Sequence, residues 1–423
     1  MHHNYVKTFK IQSHLIGWKK LKICMFSNLF PPVSTGSSTH VSKLSQALTK
    51  KGHHVFIITA KINPKNPTYE NINGVDVYRL PSVTLPKLTI ALNFPWLNFT
   101  FTPQNLKKIQ QIIQEKQPDI IHLHNHMFDL SFSAVLMHKK FNIPLITTLH
   151  TIIKHSNNWY NLILHPLDKY FLGRLIINQS DQIICPDANI EKYAKTVFKC
   201  NHFCIIPYGV ELSRDINPKI LDCFINKYSL KNKNVIISLG HVHEIRNRHD
   251  LITAMPLILK QYPNTILLIV GAVITSTPEK LARSLNVGHA IIFTGTISHK
   301  YIPEILSLGK IEAHWLNQDN PENTSLGIAS LEAMASKKVI LAAANPDTYG
   351  PDVLRNGENI ILVNTGEPYA LAETIIGLFN DEIRCKIIGN NASKTIERFF
   401  SWDSVCDRTV QLYLRTVSDQ KDR

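Results

Sequence analysis

Short apolar runs alternate with helix-length amphipathic stretches along most of the chain. In the first half, the apolar runs predict buried strands at 22–26, 54–60, 119–124, 144–150, 182–186 and 203–209. Stretches with helical periodicity lie between most of them, at 38–51, 103–116, 129–140, 160–178 and 189–198. Strands that alternate with helices form a parallel sheet whose two faces are covered by right-handed crossovers. The first half is therefore predicted to be a doubly wound α/β domain.

The same pattern starts again after residue 230. Apolar runs predict strands at 234–240, 265–271, 290–295, 311–316, 338–344 and 359–364. Helical patterns are found at 248–261, 277–285, 301–308, 325–336, 368–379 and, as a last helical stretch, 397–417. We expect an N-terminal extension at 1–20 and Rossmann-like domains at 21–210 and 211–399, with a C-terminal helix at 400–423 packing back on the first domain. Such sheets bind ligands at the carboxyl ends of their strands, so the cleft between the two domains is the expected site.

Length and charge narrow the classes of function. The 423 residues suit two domains, and 46 Lys and Arg residues against 32 Asp and Glu residues give a formal net charge of +14. That excess predicts a phosphorylated ligand or an anionic membrane surface, while scattered lysines and the lack of a recognised module argue against nucleic acid. Seven scattered cysteines indicate a reducing compartment, the cytoplasm. No apolar run is long enough to span a membrane.

Two segments leave alternatives open. The basic extension at 1–20 is either a loose tail or a weak membrane-surface segment. The apolar, proline-broken segment at 85–101 either packs on the first domain or forms an exposed loop that touches a lipid or an acceptor.

Histidines cluster where the third predicted strand ends, in IHLHNH at 121–126. We predict that His122 and His124 point to opposite faces of the sheet, and that His124, nearest the strand end, orients a hydroxyl proton. His126 and His150 are further candidates for the cleft. A zinc site is not expected, because the rings are predicted to be dispersed and no acid completes a ligand set.

Strand-to-helix turns in both halves offer sites for anions. Gly36 opens a helix after the first strand, where backbone N–H groups can meet anionic oxygens. In the second half Gly240 ends a strand, and Arg246 and Arg248 lie at the start of the next helix. The helix dipole does not stabilise cations at that end, so both arginines are predicted to bind an anion such as phosphate.

One stretch combines a polar helix start with a single acid. In PENTSLGIASLEAMASKK (321–338), Asn323, Thr324 and Ser325 are predicted to cap a helix that offers free N–H groups to an anion or a sugar hydroxyl. At about 1.5 Å per residue, Glu332 lies roughly 12 Å beyond Thr324. That distance matches the span from the sugar of a nucleotide sugar to its ribose, and a carboxylate accepts hydrogen bonds from ribose hydroxyls. The alternative is an ordinary exposed glutamate.

Together these motifs resemble the family-4 retaining glycosyltransferases of GT-B fold, over nearly the whole chain after residue 20. The resembling motifs, in the order typical of the family, are PPVSTG (31–36), PDIIHLH (118–124), PLITTLHT (144–151), PYGVEL (207–212) and FTG (293–295). The resemblance implies two facing domains, the first on the acceptor side and the second binding a nucleotide sugar. It also implies a reaction without metal or cofactor.

The resemblance assigns roles to individual positions and shows two departures. His241 falls where the family has a diphosphate-binding arginine, and Thr324 where it has the first of two glutamates, while Glu332 matches the second. The residues predicted to be catalytic are His124, Arg246, His241 and Thr324. Those predicted to bind the donor or its nucleotide are Gly36, Gly240, Gly295, Thr296, Asn323, Ser325, Leu326, Gly327 and Glu332. His150 is predicted to lie on the acceptor side.

The predicted function is transfer of a hexose-type sugar from a nucleoside-diphosphate donor to a saccharide or lipid-linked acceptor, in cell-surface polysaccharide or glycolipid biosynthesis. No carboxylate matches a nucleophile position, so a front-face departure is expected, in which the leaving phosphate takes the acceptor proton. We expect a cytoplasmic enzyme that is either free or peripheral to the inner membrane face. The alternatives are a nucleotide-sugar-binding protein, an inactive member of the same fold, and a nucleotide-sugar 2-epimerase, which needs further acids in the cleft.

Overall fold

A computed structural model of the chain describes residues 19–84, 98–153, 158–198, 201–212, 215–243, 246, 248–313 and 325–421. Three sequence predictions therefore fall largely outside the described residues. They concern most of the extension at 1–20, most of the apolar segment at 85–101, and the site residues Asn323 and Thr324.

The first half folds around an eight-stranded sheet. The strands in chain order are β1 (Lys22–Ser27), β2 (His54–Lys61), β3 (Tyr69–Ile72), β4 (Val75–Pro81), β5 (Val83–Thr84), β6 (Asn98–Phe99), β7 (Ile120–His124), β8 (Leu145–Thr148), β9 (Gln182–Cys185) and β10 (Phe203–Ile205). The sheet has the order β10-β9-β8-β7-β1-β2-β4-β3, and β5 and β6 form a separate antiparallel pair. All pairs in the sheet are parallel except β3 with β4.

Helices cover both faces of this sheet, as the alternating pattern predicts. They are α1 (Gly36–Lys50), α2 (Pro103–Lys116), α3 (Leu130–Phe141), α4 (Asn158–Pro166), α5 (Gly173–Leu175) and α6 (Ala188–Phe198). A π-helical turn at Leu167–Leu172 joins α4 to α5. Helix α1 begins with a capping box, in which Thr35 Oγ1 accepts from the N–H of Ser38 at 3.1 Å and Ser38 Oγ accepts from the N–H of Thr35 at 2.8 Å.

The second half is a six-stranded parallel sheet. Its strands are β11 (Asn234–Leu239), β12 (Thr265–Val270), β13 (Ile291–Phe293), β14 (Ile311–Ala313), β15 (Val339–Ala342) and β16 (Ile361–Leu362), in the order β13-β12-β11-β14-β15-β16. The remaining helices are α7 (Pro218–Lys227), α8 (His249–Gln261), α9 (Thr277–Ser284), α10 (Ile302–Ser307), α11 (Ile328–Ala335), α12 (Pro368–Asn380), α13 (Glu382–Phe399) and α14 (Trp402–Lys421). Two separate apolar cores fill its two faces. The predicted α/β class with two parallel-sheet domains is confirmed.

The end of the chain crosses back from the second half to the first. The single helical stretch predicted at 397–417 is wrong, because the helix breaks between α13 and α14. Phe400 is fully buried in the core of the second half, whereas Val405 and Tyr413 are fully buried in the core of the first. The apolar spacing is helical on both sides of the break, so the pattern does not show it. At the break the carbonyl of Phe400 accepts from the N–H of Val210, at 2.8 Å.

The predicted helix at 325–336 starts later than expected. Helix α11 begins at Ile328, its N-cap is Gly327, and the cap has no side-chain hydrogen bond. The prediction that Ser325 caps the helix is therefore wrong. The predicted distance from Thr324 to Glu332 assumed a continuous helix. Ser325 to Gly327 are not helical, so the helical rise per residue does not apply to this segment.

Candidate functional site

Glycines line the carboxyl end of the second sheet. The neighbouring strands β11, β12 and β13 are followed within two residues by Gly240, Gly271 and Gly295, whose φ angles are 113°, 147° and 71°. A Cβ added at Gly271 would lie 2.3 Å from the carbonyl oxygen of Gly240. Positive φ and close backbone approach both require glycine here. We call these three residues the glycine edge; at Gly295 an added Cβ would have no neighbour within 4 Å, at the end of the sheet where such folds bind ligands.

Arg246 lies directly against the glycine edge. A Cβ at Gly240 would lie 1.6 Å from Nη1 of Arg246, so the guanidinium occupies the space that a side chain would need. Burial lowers the pKa of Arg246, and the carboxylate of Glu312 acts in the opposite direction. Glu312 is fully buried on β14, and it accepts from the N–H of Leu239 at 3.4 Å and from Ser330 Oγ at 3.3 Å. Sequence reasoning missed Glu312, although an acid within an apolar strand is itself a signal.

Arg248 does not have the predicted anion-binding role. Its side chain is buried, and it donates to Ser238 Oγ at 3.1 Å, to the carbonyl of His241 at 2.9 Å and to the carbonyl of Gly240 at 2.8 Å. Burial lowers its pKa to about 10. Arg248 therefore supports the turn after β11 through its two carbonyls, whereas the guanidinium of Arg246 lies beside the Cα of Gly240.

The other predicted donor residues lie around the same edge or across from it. His241 and Thr296 are exposed in the turns after β11 and β13, and Ser325, Leu326 and Gly327 lead into α11. Gly36 is the first residue of α1 in the first half, where an added Cβ would have no neighbour within 4 Å. The fold itself makes no demand for glycine at position 36.

Glu332 faces a small pocket rather than a core. Its carboxylate is hydrogen-bonded to Nε2 of His299 at 2.7 Å, and its side chain is 17% exposed. The pocket is also lined by Glu211, from the linker between β10 and α7, and by Ile302 and Pro303 from α10. Glu332 thus lies where the linker, the turn after β13 and helix α11 meet.

Histidine rings form a cluster at the carboxyl end of the first sheet. The predicted opposite orientation of His122 and His124 is wrong, since residues two apart on a strand share a face, and their ring centroids are only 4.0 Å apart. Nδ1 of His124 lies 3.1 Å from Nε2 of His150. His40, which sequence reasoning missed, reaches the cluster from α1, with its ring centroid 5.3 Å from that of His150.

The histidine cluster is neutral near pH 7. Burial lowers the pKa of His40 to about 4 and that of His122 to about 3. Burial and the neighbouring rings also hold the pKa values of His124 and His150 well below 6.5. Within the described part of the chain, Nε2 of His124 and Nδ1 of His40 have no hydrogen-bond partner. Such buried atoms are rare in folded proteins, and they mark a place that suits a polar ligand.

His126 belongs to a separate network. Its Nε2 lies 2.7 Å from Oδ1 of Asp168, a buried carboxylate in the π-helical turn, and Tyr193 donates to the other oxygen of that carboxylate. Burial and the Asp168 carboxylate raise the pKa of Tyr193. These three side chains tie the end of β7 to helices on the outside of the first half. His126 therefore does not join the histidine cluster, contrary to its place among the cleft candidates.

Direct contacts join the two halves near these groups. The side chain of Ser325 is hydrogen-bonded to the carboxylate of Asp187, which also accepts from the N–H of Ile190 at the start of α6. In the linker, Glu211 pairs with Lys43 of α1 at 2.7 Å. The loop before α11 therefore meets the first half close to the histidine cluster. Among the described residues, no group of three or more His, Cys, Asp and Glu side chains could hold a metal ion.

Two family models together match most of the chain. The model of Glycosyltransferase Family 4 matches residues 34–214, and that of Glycosyl transferases group 1 matches residues 224–395. An uncharacterized glycosyltransferase of Methanocaldococcus jannaschii is 23% identical over 407 residues, covering 93% of this chain and 98% of the relative. The alpha-monoglucosyldiacylglycerol synthase of Streptococcus pneumoniae is 24% identical over 334 residues, which cover 77% of this chain and 72% of the synthase. The GPI3 subunit of phosphatidylinositol N-acetylglucosaminyltransferase of Saccharomyces cerevisiae is 21% identical over 415 residues, which cover 95% of this chain and 85% of the subunit.

Solved structures show the same fold. Sucrose-phosphate synthase from Thermosynechococcus elongatus superposes with a TM-score of 0.69 at 19% identity, covering 95% of this chain and all of that one. HepE of Anabaena, solved in complex with UDP and glucose, superposes with a TM-score of 0.64 at 15% identity, covering 93% of this chain and all of that one. The chain belongs to the family-4, group 1 glycosyltransferases and has their GT-B fold.

Proposed function

We propose that this glycosyltransferase moves a hexose-type sugar from a nucleoside diphosphate to a lipid-linked acceptor, with retention of the anomeric configuration. The observation that carries the proposal is the presence of two groups at the carboxyl ends of the two sheets: the glycine edge with Arg246 packed against Gly240, and the neutral histidine cluster. The guanidinium suits a diphosphate, and the neutral ring nitrogens suit sugar hydroxyls. The solved relative HepE binds UDP and UDP-glucose.

Arg246 is the proposed cation for the leaving group. The sugar–phosphate bond breaks with negative charge developing on the diphosphate, and preorganised donors stabilise that charge. The pKa of Arg246 is lowered by burial, so a phosphate beside it would restore the preference for the charged form. His241, exposed in the same turn, is the second proposed donor. These groups stabilise the charge without a metal, and the proposed reaction is metal-independent.

Glu332 is the proposed ribose ligand. Its carboxylate has free acceptor capacity beyond the bond to His299, because a carboxylate accepts about four hydrogen bonds. The pocket that it shares with Ile302 and Pro303 offers apolar side chains for a base next to a carboxylate for the ribose. Gly295 and Thr296, in the turn that precedes His299, are proposed to lie beside the base.

The proposed chemistry is a front-face displacement. The acceptor hydroxyl attacks the anomeric carbon from the side that the diphosphate leaves, and the departing phosphate oxygen takes the hydroxyl proton. His124 accepts a hydrogen bond from a sugar hydroxyl at Nε2 and does not need to become charged. The contact of Ser325 with Asp187 joins the two halves, and we propose that it helps to exclude the water that would hydrolyse the donor.

The outer helices of the first half support a lipid acceptor. The segment from Trp159 to Leu175 exposes large apolar side chains, with Trp159 78% and Ile163 70% exposed. We call the exposed members of this segment the apolar ridge: Trp159, Leu162, Ile163, Leu167, Tyr170, Phe171 and Leu175. Edge-to-face ring contacts from Phe171 through Phe132 extend it to the half-exposed Phe101.

The charges on the apolar ridge favour an anionic bilayer as its partner. The only acid of the segment, Asp168, is buried beneath it, while Arg174 is exposed and Lys169 partly exposed. Exposed Trp and Tyr rings beside basic side chains are typical of segments that lie in a membrane interface. Within the described residues, none of the helices combines the length and hydrophobicity that crossing a bilayer requires. Two relatives are named for lipid acceptors, a monoglucosyldiacylglycerol synthase and a phosphatidylinositol glycosyltransferase.

A donor and acceptor panel tests the proposal. The purified chain is incubated with radiolabelled UDP- and GDP-sugars, with and without vesicles that contain diacylglycerol or phosphatidylinositol in an anionic phospholipid background. We expect saturable binding of one donor, slow hydrolysis without vesicles, and a labelled glycolipid with them. Saturable binding without any turnover would instead indicate a nucleotide-sugar-binding protein, and recovery of an epimerised donor would indicate an epimerase. Binding of neither donor would refute the proposed function.

A further inference from the structure

A chain of hydrogen-bond contacts connects the linker to His124. The hydroxyl oxygen of Tyr208, in the linker after β10, lies 3.0 Å from Nδ1 of His150. Nε2 of His150 lies 3.1 Å from Nδ1 of His124. The rings of Tyr208 and His150 are stacked, with 4° between their planes. This series of hydrogen-bond contacts ends at Nε2 of His124, for which the described residues offer no hydrogen-bond partner.

The tautomers of His124 and His150 depend on each other, because the two rings share a hydrogen bond. Both rings are neutral near pH 7, so each carries one N–H. If His124 carries its hydrogen on Nδ1, it donates to Nε2 of His150, whose own hydrogen then lies on Nδ1 and is donated to the Tyr208 oxygen. In the opposite arrangement Tyr208 donates to His150, His150 donates to His124, and Nε2 of His124 carries the hydrogen. No third arrangement makes both bonds.

The Tyr208 hydroxyl distinguishes these arrangements, because its oxygen also lies 3.3 Å from the carbonyl oxygen of His150. In the first arrangement the hydroxyl hydrogen is donated to that carbonyl. In the second it is used for Nδ1 of His150, and a buried N–H on His124 is left without an acceptor, which is rarer and costlier than an unused lone pair. We propose that Tyr208 and His150 are positioning residues that hold His124 as the Nδ1–H tautomer, keeping the lone pair of Nε2 for a substrate hydroxyl.

The consequence for the reaction rests on the proposed function. A sugar hydroxyl donates its hydrogen to Nε2 of His124, no proton is transferred, and the hydroxyl oxygen keeps its orientation in the cleft. The opposite tautomer would present an N–H to the same hydroxyl and would reverse the direction of the hydrogen bond. Sequence reasoning placed His150 on the acceptor side but assigned no role to Tyr208.

Histidine-selective 15N NMR of the whole protein measures the tautomer without any substrate, and the signals of His124 are identified by their loss in His124→Gln. We expect the hydrogen on Nδ1 in the wild type. Tyr208→Phe removes the oxygen that accepts from His150, so we expect mixed tautomers at His124 and a fall in kcat of about tenfold or more with little change in the KM for the donor. His150→Gln, whose amide oxygen can still accept from His124, should keep the tautomer, whereas His150→Leu should not.

Tyr413→Phe is the matched control. It removes another buried hydroxyl, 2.5 Å from Nδ1 of the neighbouring His122, and should lower stability while leaving the tautomer of His124 unchanged. A hydrogen on Nε2 of His124 in the wild type, or an unchanged His124 spectrum in Tyr208→Phe, would overturn the proposal. Because the NMR experiment needs no substrate, failure to bind any nucleotide sugar would count against the proposed function and not against the tautomer.

Discussion

Replacing Gly240 by alanine tests whether the glycine edge holds Arg246 in its place. The new Cβ would lie 1.6 Å from Nη1 of Arg246, so the guanidinium has to leave. The φ of 113° at this position is also one that alanine rarely adopts. Arg248 binds the carbonyls of Gly240 and His241, so the turn cannot relax easily to make room.

The two effects of Gly240→Ala have different magnitudes and readouts. The strained backbone should lower the free energy of unfolding by about 1–3 kcal/mol. Displacing the guanidinium should remove a charge-assisted hydrogen bond to the donor diphosphate, worth about 1.5–3 kcal/mol, and so weaken nucleoside-diphosphate binding about 10- to 100-fold. Gly357→Ala is the matched control, because its φ is 76° and an added Cβ would have no neighbour within 4 Å.

A double-mutant cycle separates these effects. Calorimetric Kd values for UDP and GDP are measured for Gly240→Ala, Arg246→Ala and the double variant, alongside unfolding by urea. Since both changes remove the same contact, the double variant should bind no more weakly than Arg246→Ala. Gly357→Ala should lose stability and keep its affinity. Additive losses in the double variant, or unchanged affinity in Gly240→Ala, would refute the reasoning.

Three other outcomes are expected. Glu332→Gln should weaken binding of UDP or GDP about tenfold and abolish the preference over the 2′-deoxy nucleotide in calorimetry; an unchanged preference contradicts the ribose role. Ile163→Ser should reduce sedimentation with anionic vesicles several-fold, whereas Ile383→Ser, 73% exposed on the other half, should not; equal losses would remove the apolar ridge as the docking surface. The depressed pKa of His40, about 4, means that the unfolded state binds the extra proton between pH 6.5 and 4, so stability is lost as the pH falls through that window, by about 3 kcal/mol. Urea unfolding of His40→Gln should show a shallower dependence on pH than the wild type.

Much of the fold can be predicted from the sequence because parallel strands buried on both faces are continuous apolar runs. The prediction at 54–60, for example, matches strand β2 within one residue. Strands β3 and β4 were missed because they form an antiparallel pair at the edge of the sheet, around a turn at Asn73 and Gly74, with polar residues alternating along them. Such strands lack the apolar run that revealed the others.

The candidate site could be predicted less completely, for a physical reason. Glycines at strand ends and an arginine beside a helix start are visible in a single stretch of sequence, which is why Gly240 and Arg246 were selected. Glu312 and Asp187 act on that site from strands and turns far away in the chain, and only folding brings them near Arg246 and Ser325. Their carboxylates are recognisable in the sequence only as acids close to apolar runs.

Burial makes the charge of the two sites differ: Arg246 at the glycine edge stays positive, whereas the histidine cluster of the first sheet is neutral. On the second sheet Arg246 keeps a positive charge, because a guanidinium stays protonated near pH 7 even when partial burial lowers its pKa. On the first sheet burial suppresses the charge of His40 and His122. In the proposed function a diphosphate is therefore attracted to Arg246, and a hydroxyl beside the histidine cluster meets neutral rings that do not compete for phosphate. If the histidines were charged, the cleft would hold cations on both sides, and the donor could bind in the reverse orientation with its sugar away from the acceptor.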